Sequence, residues 1–206
     1  MSPLTPAASP SRTNIRRNGI DISHHQGDIQ WPLVVTAGID FVYCKATEGS
    51  TFTDSRFQRH WQTLAGLPIE RGAYHFFRPN GDAKLQAAHY LSVVGRGPGA
   101  DLAPALDVEV SDNCSAREIA DAMHTWLDIV EAERDQAVLI YTSPNFWETH
   151  MEGNTEFATS PLWLAHYTDQ PQPRIPPPWT AYRYWQFAET GTVAGIQGPV
   201  DLNRTP

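Results

Sequence analysis

Asp107 and Glu109 stand two positions apart in the apolar run Ala103-Pro104-Ala105-Leu106-Asp107-Val108-Glu109-Val110. A run of that length and character predicts a strand. Side chains alternate faces along a strand, so both carboxyls project to one side and Leu106, Val108 and Val110 to the other. Like charges held this close in a partly apolar setting push one pKa up. Near neutral pH that leaves one protonated acid beside one ionised carboxylate, the pairing that hydrolysis of a glycosidic bond needs. A solvated strand end would be spelled the same way, so other parts of the chain must decide.

Two further acids have the same setting. In Gly19-Ile20-Asp21-Ile22-Ser23 the isoleucines face one side, and Asp21 and Ser23 face the other. Val200-Asp201-Leu202-Asn203 places Asp201 on a short strand, or in a turn if it is read alone. Aromatic side chains fall near predicted strand ends: Tyr141, Trp163, Tyr167, and Trp185 followed by Gln186. Rings that pack on C–H faces, next to acids that bind hydroxyls, suit a sugar. Lys45 has two readings, pairing with an inward acid or snorkelling outward.

His24-His25 beside Asp21 is the nearest approach to a metal constellation. Neighbours on an extended segment point opposite ways, so loop hydrogen bonding is the expected role and no metal or other cofactor is expected. No Gly-rich phosphate loop, G-x-S-x-G elbow or Cys-x-x-Cys occurs. Cys44 is expected to be an inert core thiol and Cys114 a loop residue, with no bridge between them.

Elements able to position these residues alternate along the chain. Strands are expected at Gly19–Ser23, Asp40–Ala46, Gly72–Phe77, Ala103–Val110, Ala137–Thr142, Leu162–His166, Tyr182–Phe187 and Val200–Asn203. Helices are expected at Ile29–Ala37, Ser55–Ala65, Ala83–Val94 and Ala116–Arg134. The last opens with the capping box Ser115-x-x-Glu118 and carries an apolar stripe of Ile119, Met123, Trp126, Leu127 and Val130. After Pro144 only a short helical turn is expected, and the five prolines of Gln170–Pro178 demand an irregular loop. The pattern is α/β: a barrel that begins as regular βα units and ends with strands joined mainly by loops.

The length of 206 residues fits one domain. Residues 1–18, rich in Ser, Pro, Thr and Ala, read as a flexible tail with no apolar segment of a signal peptide, and 19–206 as a single catalytic barrel. A net charge of −8 and a pI of about 5.4 argue against a nucleic-acid binder. No apolar run approaches a membrane span.

In these motifs the chain resembles the glycoside hydrolase family 25 lysozymes, the Chalaropsis-type N-acetylmuramidases. The matching blocks are Gly19-Ile20-Asp21-Ile22-Ser23 with Gln26-Gly27, Lys45-Ala46-Thr47-Glu48-Gly49, Gly72-Ala73-Tyr74-His75-Phe76, Leu106-Asp107-Val108-Glu109, Trp185-Gln186 and Val200-Asp201-Leu202-Asn203. They run in the family's order over nearly the whole chain. The resemblance implies a modified, TIM-like β/α barrel that cleaves the β-1,4 bond between N-acetylmuramic acid and N-acetylglucosamine with retention and without a metal. It implies Glu109 as general acid, Asp107 as nucleophile or as stabiliser of a substrate-assisted route, and Asp21 and Asp201 as the acidic base of the groove. Tyr74, Tyr141, Tyr167, Trp185 and Gln186 are then expected to bind substrate.

The partner implied is the glycan strand of peptidoglycan, met by a monomer outside the cytoplasm. With no signal peptide visible, the expected contexts are a phage lysin, an injected effector or a truncated secreted enzyme. An effector would be accompanied by a periplasmic inhibitor or immunity protein. Two other readings compete: a glycan-binding barrel without catalysis, which should lack the acid pair, and a chitinase-like glycosidase, which usually shows a longer Asp-rich motif.

Overall fold

In the computed structural model, residues 16–97 and 102–206 are described. The elements in chain order are β1 (Asn18–Ile22), α1 (Trp31–Thr36), β2 (Phe41–Glu48), β3 (Phe52–Thr53), α2 (Phe57–Leu64), β4 (Glu70–Phe76), α3 (Ala83–Val94), β5 (Ala105–Asp107), α4 (Ala116–Arg134), β6 (Leu139–Thr142), α5 (Pro144–His150), β7 (Leu162–Ala165), β8 (Tyr184–Gly191) and β9 (Val200–Arg204). Around the sheet the strands run β1-β2-β4-β5-β6-β7-β8-β9, and β9 pairs back onto β1, so a barrel closes. The barrel strands run parallel except β9, which is antiparallel to both neighbours. Regular βα units come first and loop-joined strands last, as the sequence predicts. β3, absent from the sequence reading, folds back on the end of β2 as a two-residue flap.

Two apolar layers hold this frame. Outside the sheet, the stripe Ile119, Met123, Trp126, Leu127 and Val130 of α4 is buried against the barrel. Burying such side chains stabilises by about 1.5–3 kcal/mol each. The capping box starts this helix, with Ser115 N–H donating to Glu118 Oε2 at 2.8 Å. Cys44 is buried in the same layer and both cysteines are free.

Inside, rings fill the lumen. Tyr43 and Trp163 have centroids 4.6 Å apart, and Tyr141 lies 4.9 Å from Trp163. Gly72, the register partner of Tyr43, is required there: a Cβ on it would stand 2.3 Å from the Tyr43 ring. The rings make a dry plug beneath whatever sits at the barrel mouth.

Three differences from the sequence expectation bear on the site. Most of the expected tail, residues 1–15, lies outside the described residues. At its edge Asn18 already belongs to β1, and Arg17 is tied to Thr205 through its backbone N–H (3.0 Å) and to Glu70 through its guanidinium (2.7 Å). β5 ends at Asp107 rather than Val110. Val108 N–H still donates to Tyr141 O at 2.9 Å, but the chain then leaves the sheet and turns through Asp112 and Asn113 in left-handed conformation (φ 48° and 64°). Glu109 therefore sits on a loop. Finally, His24–Gln26 is a 3₁₀ turn, not an extended segment.

Candidate active site

A cleft of about 220 Å³ opens at the carboxyl ends of the parallel strands, where barrels of this kind gather chemistry on their βα loops. It is lined by Asp21, Tyr74, Asp107, Glu109, Tyr141, Gln186 and Asp201. These come from β1, β4, β5 and the loop after it, β6, β8 and β9. Because β9 is antiparallel, its first residues reach the end at which the other strands finish, and Asp201 lands opposite Asp21 in register.

The floor is a closed network centred on Asp21. Its Oδ2 accepts from Gln186 Nε2 at 2.9 Å and from Asn203 Nδ2 at 2.7 Å. Both amides have fixed orientations. Trp163 Nε1 can only donate, and it donates to Asn203 Oδ1 at 2.7 Å, which leaves the Asn203 NH₂ for Asp21. Gln186 Oε1 accepts from Tyr141 at 2.9 Å and Tyr167 at 2.6 Å, leaving its NH₂ for Asp21 as well. Burial pushes the Asp201 carboxyl up to about 9, helped by the negative Asp21. Asp201 thus keeps its proton at neutral pH and donates it to the Asp21 carboxylate.

Asp107 and Glu109 form the second unit. Asp107 is 7% exposed, whereas Glu109 is exposed to the open side of the cleft. Burial and then the charge of Glu109 hold the Asp107 carboxyl well above the usual carboxylate range. Partial desolvation, then the charge of Asp21, raises Glu109 too. The two carboxyls are coupled, so the pair titrates as one system and holds a shared proton to higher pH than an isolated carboxyl would. Asp107 Oδ1 is enclosed and makes no hydrogen bond among the described residues.

Lys45 balances these acids. It lines the cleft, pairs with Glu48 at 2.7 Å and lies 4.5 Å from the centroid of the Phe76 ring. Glu48 leads on to Arg78 (3.6 Å), and Arg78 to Asp112 (2.7 Å) on the loop that carries Glu109. The positive charge of Lys45 lowers the pKa of both Asp107 and Glu109. Lys45→Met should therefore raise both, moving each flank of the pH–activity profile upward by about 0.5–1 unit. A profile left in place, recorded beside Lys45→Arg, would remove Lys45 from this role.

Other predicted residues are placed differently. Tyr167 stands on the rim, 46% exposed, anchored through its hydroxyl to Gln186. Trp185 is not brought to the cleft. Gln186 faces the lumen, so its neighbour on β8 must face outward; Trp185 is 1% exposed, its Nε1 donating to His166 O at 2.7 Å under the Arg204 guanidinium. His24 binds Asp54 through Nδ1 at 2.7 Å, the loop role expected of it. However, the two histidine rings do not point apart: the 3₁₀ turn sets their centroids 4.0 Å apart. Trp163, named with the strand-end aromatics, lines the cleft; Asn203 was not predicted as a site residue, although it follows Asp201 by two positions on one strand, a spacing that places them on one face.

Comparison with known proteins gives a single picture. The profile of Glycosyl hydrolases family 25 matches residues 20–196. Lysozyme M1 of Streptomyces globisporus is 36% identical over 197 residues, which cover 90% of this chain and 66% of that protein. The chain thus spans about two thirds of that relative's length. The N,O-diacetylmuramidase of Chalaropsis sp is 28% identical over 200 residues, 89% of this chain and 95% of that one. A solved structure of the bacterial lysozyme from Streptomyces coelicolor superposes with a TM-score of 0.87 at 33% identity, covering 94% of this chain and 93% of the other.

Proposed function

The chain belongs to glycosyl hydrolases family 25, and from that premise we propose that it is a peptidoglycan hydrolase cleaving the β-1,4 bond after N-acetylmuramic acid. The observation that carries this reading is the Asp107–Glu109 pair sharing one cleft with the Asp21–Asp201 floor. A glycan-binding barrel without catalysis would have no use for two carboxyls whose pKa values are held up side by side.

In the working form the shared proton is on Glu109, on the open side where the leaving oxygen would lie. Glu109 donates it as the glycosidic C–O bond breaks. Asp107, ionised and with one oxygen free of protein partners, either attacks the anomeric carbon or steadies the substrate's own acetamido group while that group attacks. Water then enters, deprotonated by Glu109, and the product keeps its β configuration. Asp21, with Asp201 protonated beside it, receives sugar hydroxyls on the floor, and Tyr74 and Tyr141 wall the cleft. The steps need no cofactor.

The substrate lies outside the cytoplasm, so the protein would act there. No helix among the described residues is long and apolar enough to cross a membrane. A monomer has every residue of this mechanism in one chain. Where the protein is delivered as an effector, an inhibitor or immunity protein would be its natural partner.

The test is digestion of purified peptidoglycan followed by borohydride reduction and mass spectrometry. Fragments ending in reduced N-acetylmuramic acid are expected. Fragments ending in reduced N-acetylglucosamine would assign a different bond, and cleavage of chitin but not peptidoglycan would favour the chitinase-like reading.

A further inference from the structure

One row of rings at the cleft rim has no part in the chemistry above. His25 lines the cleft; His24 lies against it with centroids 4.0 Å apart; Phe52, on the β3 flap, lies 6.0 Å from His24. Phe52 is 43% exposed, a large apolar ring turned to solvent. It is not loosely held. The flap is latched from α3, where His89 Nε2 lies 3.1 Å from Phe52 O and 3.2 Å from Thr53 Oγ1. His24 is fixed by Asp54, which receives both its ring Nδ1 (2.7 Å) and its backbone N–H (2.9 Å). The Lys45 ammonium, at the cleft wall, is 5.7 Å from the centre of the Phe52 ring. An exposed ring already held in place loses little freedom when a ligand packs on it.

Barrel order says where this row stands. Going round the mouth from β1, β2 comes second and β7 sixth, half a circuit apart. Phe52 extends from β2, and Tyr167, the exposed aromatic of the opposite rim, follows β7. β5, with Asp107 and the start of the Glu109 loop, is fourth, midway between them, and β9 with Asp201 is eighth, across from it. A chain laid from Tyr167 to Phe52 therefore crosses the barrel axis with the acid pair on one flank and Asp201 on the other.

We propose that His25, His24 and Phe52 form a distal sugar-binding row, and that the glycan strand crosses the mouth from Tyr167 to this row. The occupant is a pyranose ring of the same strand, beyond the bond being cut, because the row is continuous with the cleft through His25 and offers apolar faces beside polar edges. The inference rests on the peptidoglycan reading and adds a direction and a length to it: the site grips more of the strand than the sugars flanking the scissile bond.

Phe52→Ala decides it, with Phe52→Trp as the variant that retains a ring. On long solubilised glycan strands Phe52→Ala is expected to raise KM about 3–10-fold with kcat within about twofold, and Phe52→Trp to restore KM. The rise should be smaller on a disaccharide unit cleaved at the acid pair, which leaves no sugar over for a position beyond the bond being cut. An unchanged KM on long strands, or an equal rise on both substrates, overturns the row. Calorimetry of uncleaved strands with Glu109→Gln and with Glu109→Gln/Phe52→Ala reads the same contact without turnover. Weaker binding by the double variant supports the row, and equal binding overturns it. Failure of the wild type to release muramic acid ends would strike the activity reading, while the calorimetry still judges the row.

Discussion

Glu109→Gln is expected to lower kcat on peptidoglycan by about 10²–10⁴-fold, the usual contribution of a positioned general acid. Glutamine keeps the shape of the side chain and its capacity to hydrogen-bond, but it has no proton to give to the leaving oxygen. Glu109 stands on a loop at the open side of the cleft, and the fold does not lean on it. The variant should therefore melt no lower than the wild type and still bind glycan. The neighbouring carboxyl should respond as well. The charge of Glu109 is the second largest cause, after burial, of the raised Asp107 pKa. In Glu109→Gln the Asp107 pKa should fall, and carboxyl NMR titration would show it. A Glu109→Gln protein that cleaves at the wild-type rate, or an Asp107 titration that does not move, would take Glu109 out of the acid's role.

Asp201→Asn should make the protein more stable and flatten its alkaline stability loss. The folded pKa of Asp201 is raised to about 9 from an ordinary 3.8. Between those values the folded protein binds a proton that the unfolded chain does not. Stability tied to this group is then fully present below the unfolded value and drains away as pH rises through the window to about 9. Asparagine donates to Asp21 through Nδ2 without needing that proton. With allowance for partial exposure of the site, the gain at pH 7–8 should be about 1–2 kcal/mol, or about 3–6 °C in Tm for a chain of this size. The gain should shrink toward pH 4, and hydrolysis should suffer, since an acid held at such expense stands where sugar hydroxyls would bind. Melting curves of both proteins from pH 4 to 9 check this; parallel curves would exclude it.

The sequence showed the barrel because its signals there were periodic. The stripe of α4 repeats at helical spacing over many turns, and each barrel strand has a compact apolar run. It brought out Asp21, Asp107 and Asp201 for the same reason, since period-two alternation set each opposite its aliphatic neighbours, whereas Glu109 enters the cleft from the loop past β5. The misses occurred where the period is broken. Val108 and Val110 look like strand, but the chain leaves the sheet after Asp107. Nothing in the spelling marks that exit except the turn residues Asp112 and Asn113. His24 and His25 point apart only if extended, and the Ser23–Gln26 capping box that winds them into a 3₁₀ turn is a three-residue signal. Trp185 was placed in the cleft together with Gln186, although alternation permits only one of them; the aromatic chemistry of sugar sites drew attention away from that rule. The flap bearing Phe52 is two residues long and carries no pattern at all.

The antiparallel closing strand has a consequence for how activity arises in time. Asp21 takes its amide partners from Asn203, 182 residues away, and Gln186, 165 away. Contacts so distant in sequence are among the slowest to form, because the intervening chain must be ordered before they help. A nascent or refolding molecule can wind α4 and pair β2 with β4 while Asp21 still lacks its amide partners. Hydrolytic activity after dilution from denaturant should therefore lag behind recovered helicity. The protein should then stay catalytically silent until β9 is seated against β1, a delay set by how far apart in the chain the partners of Asp21 lie.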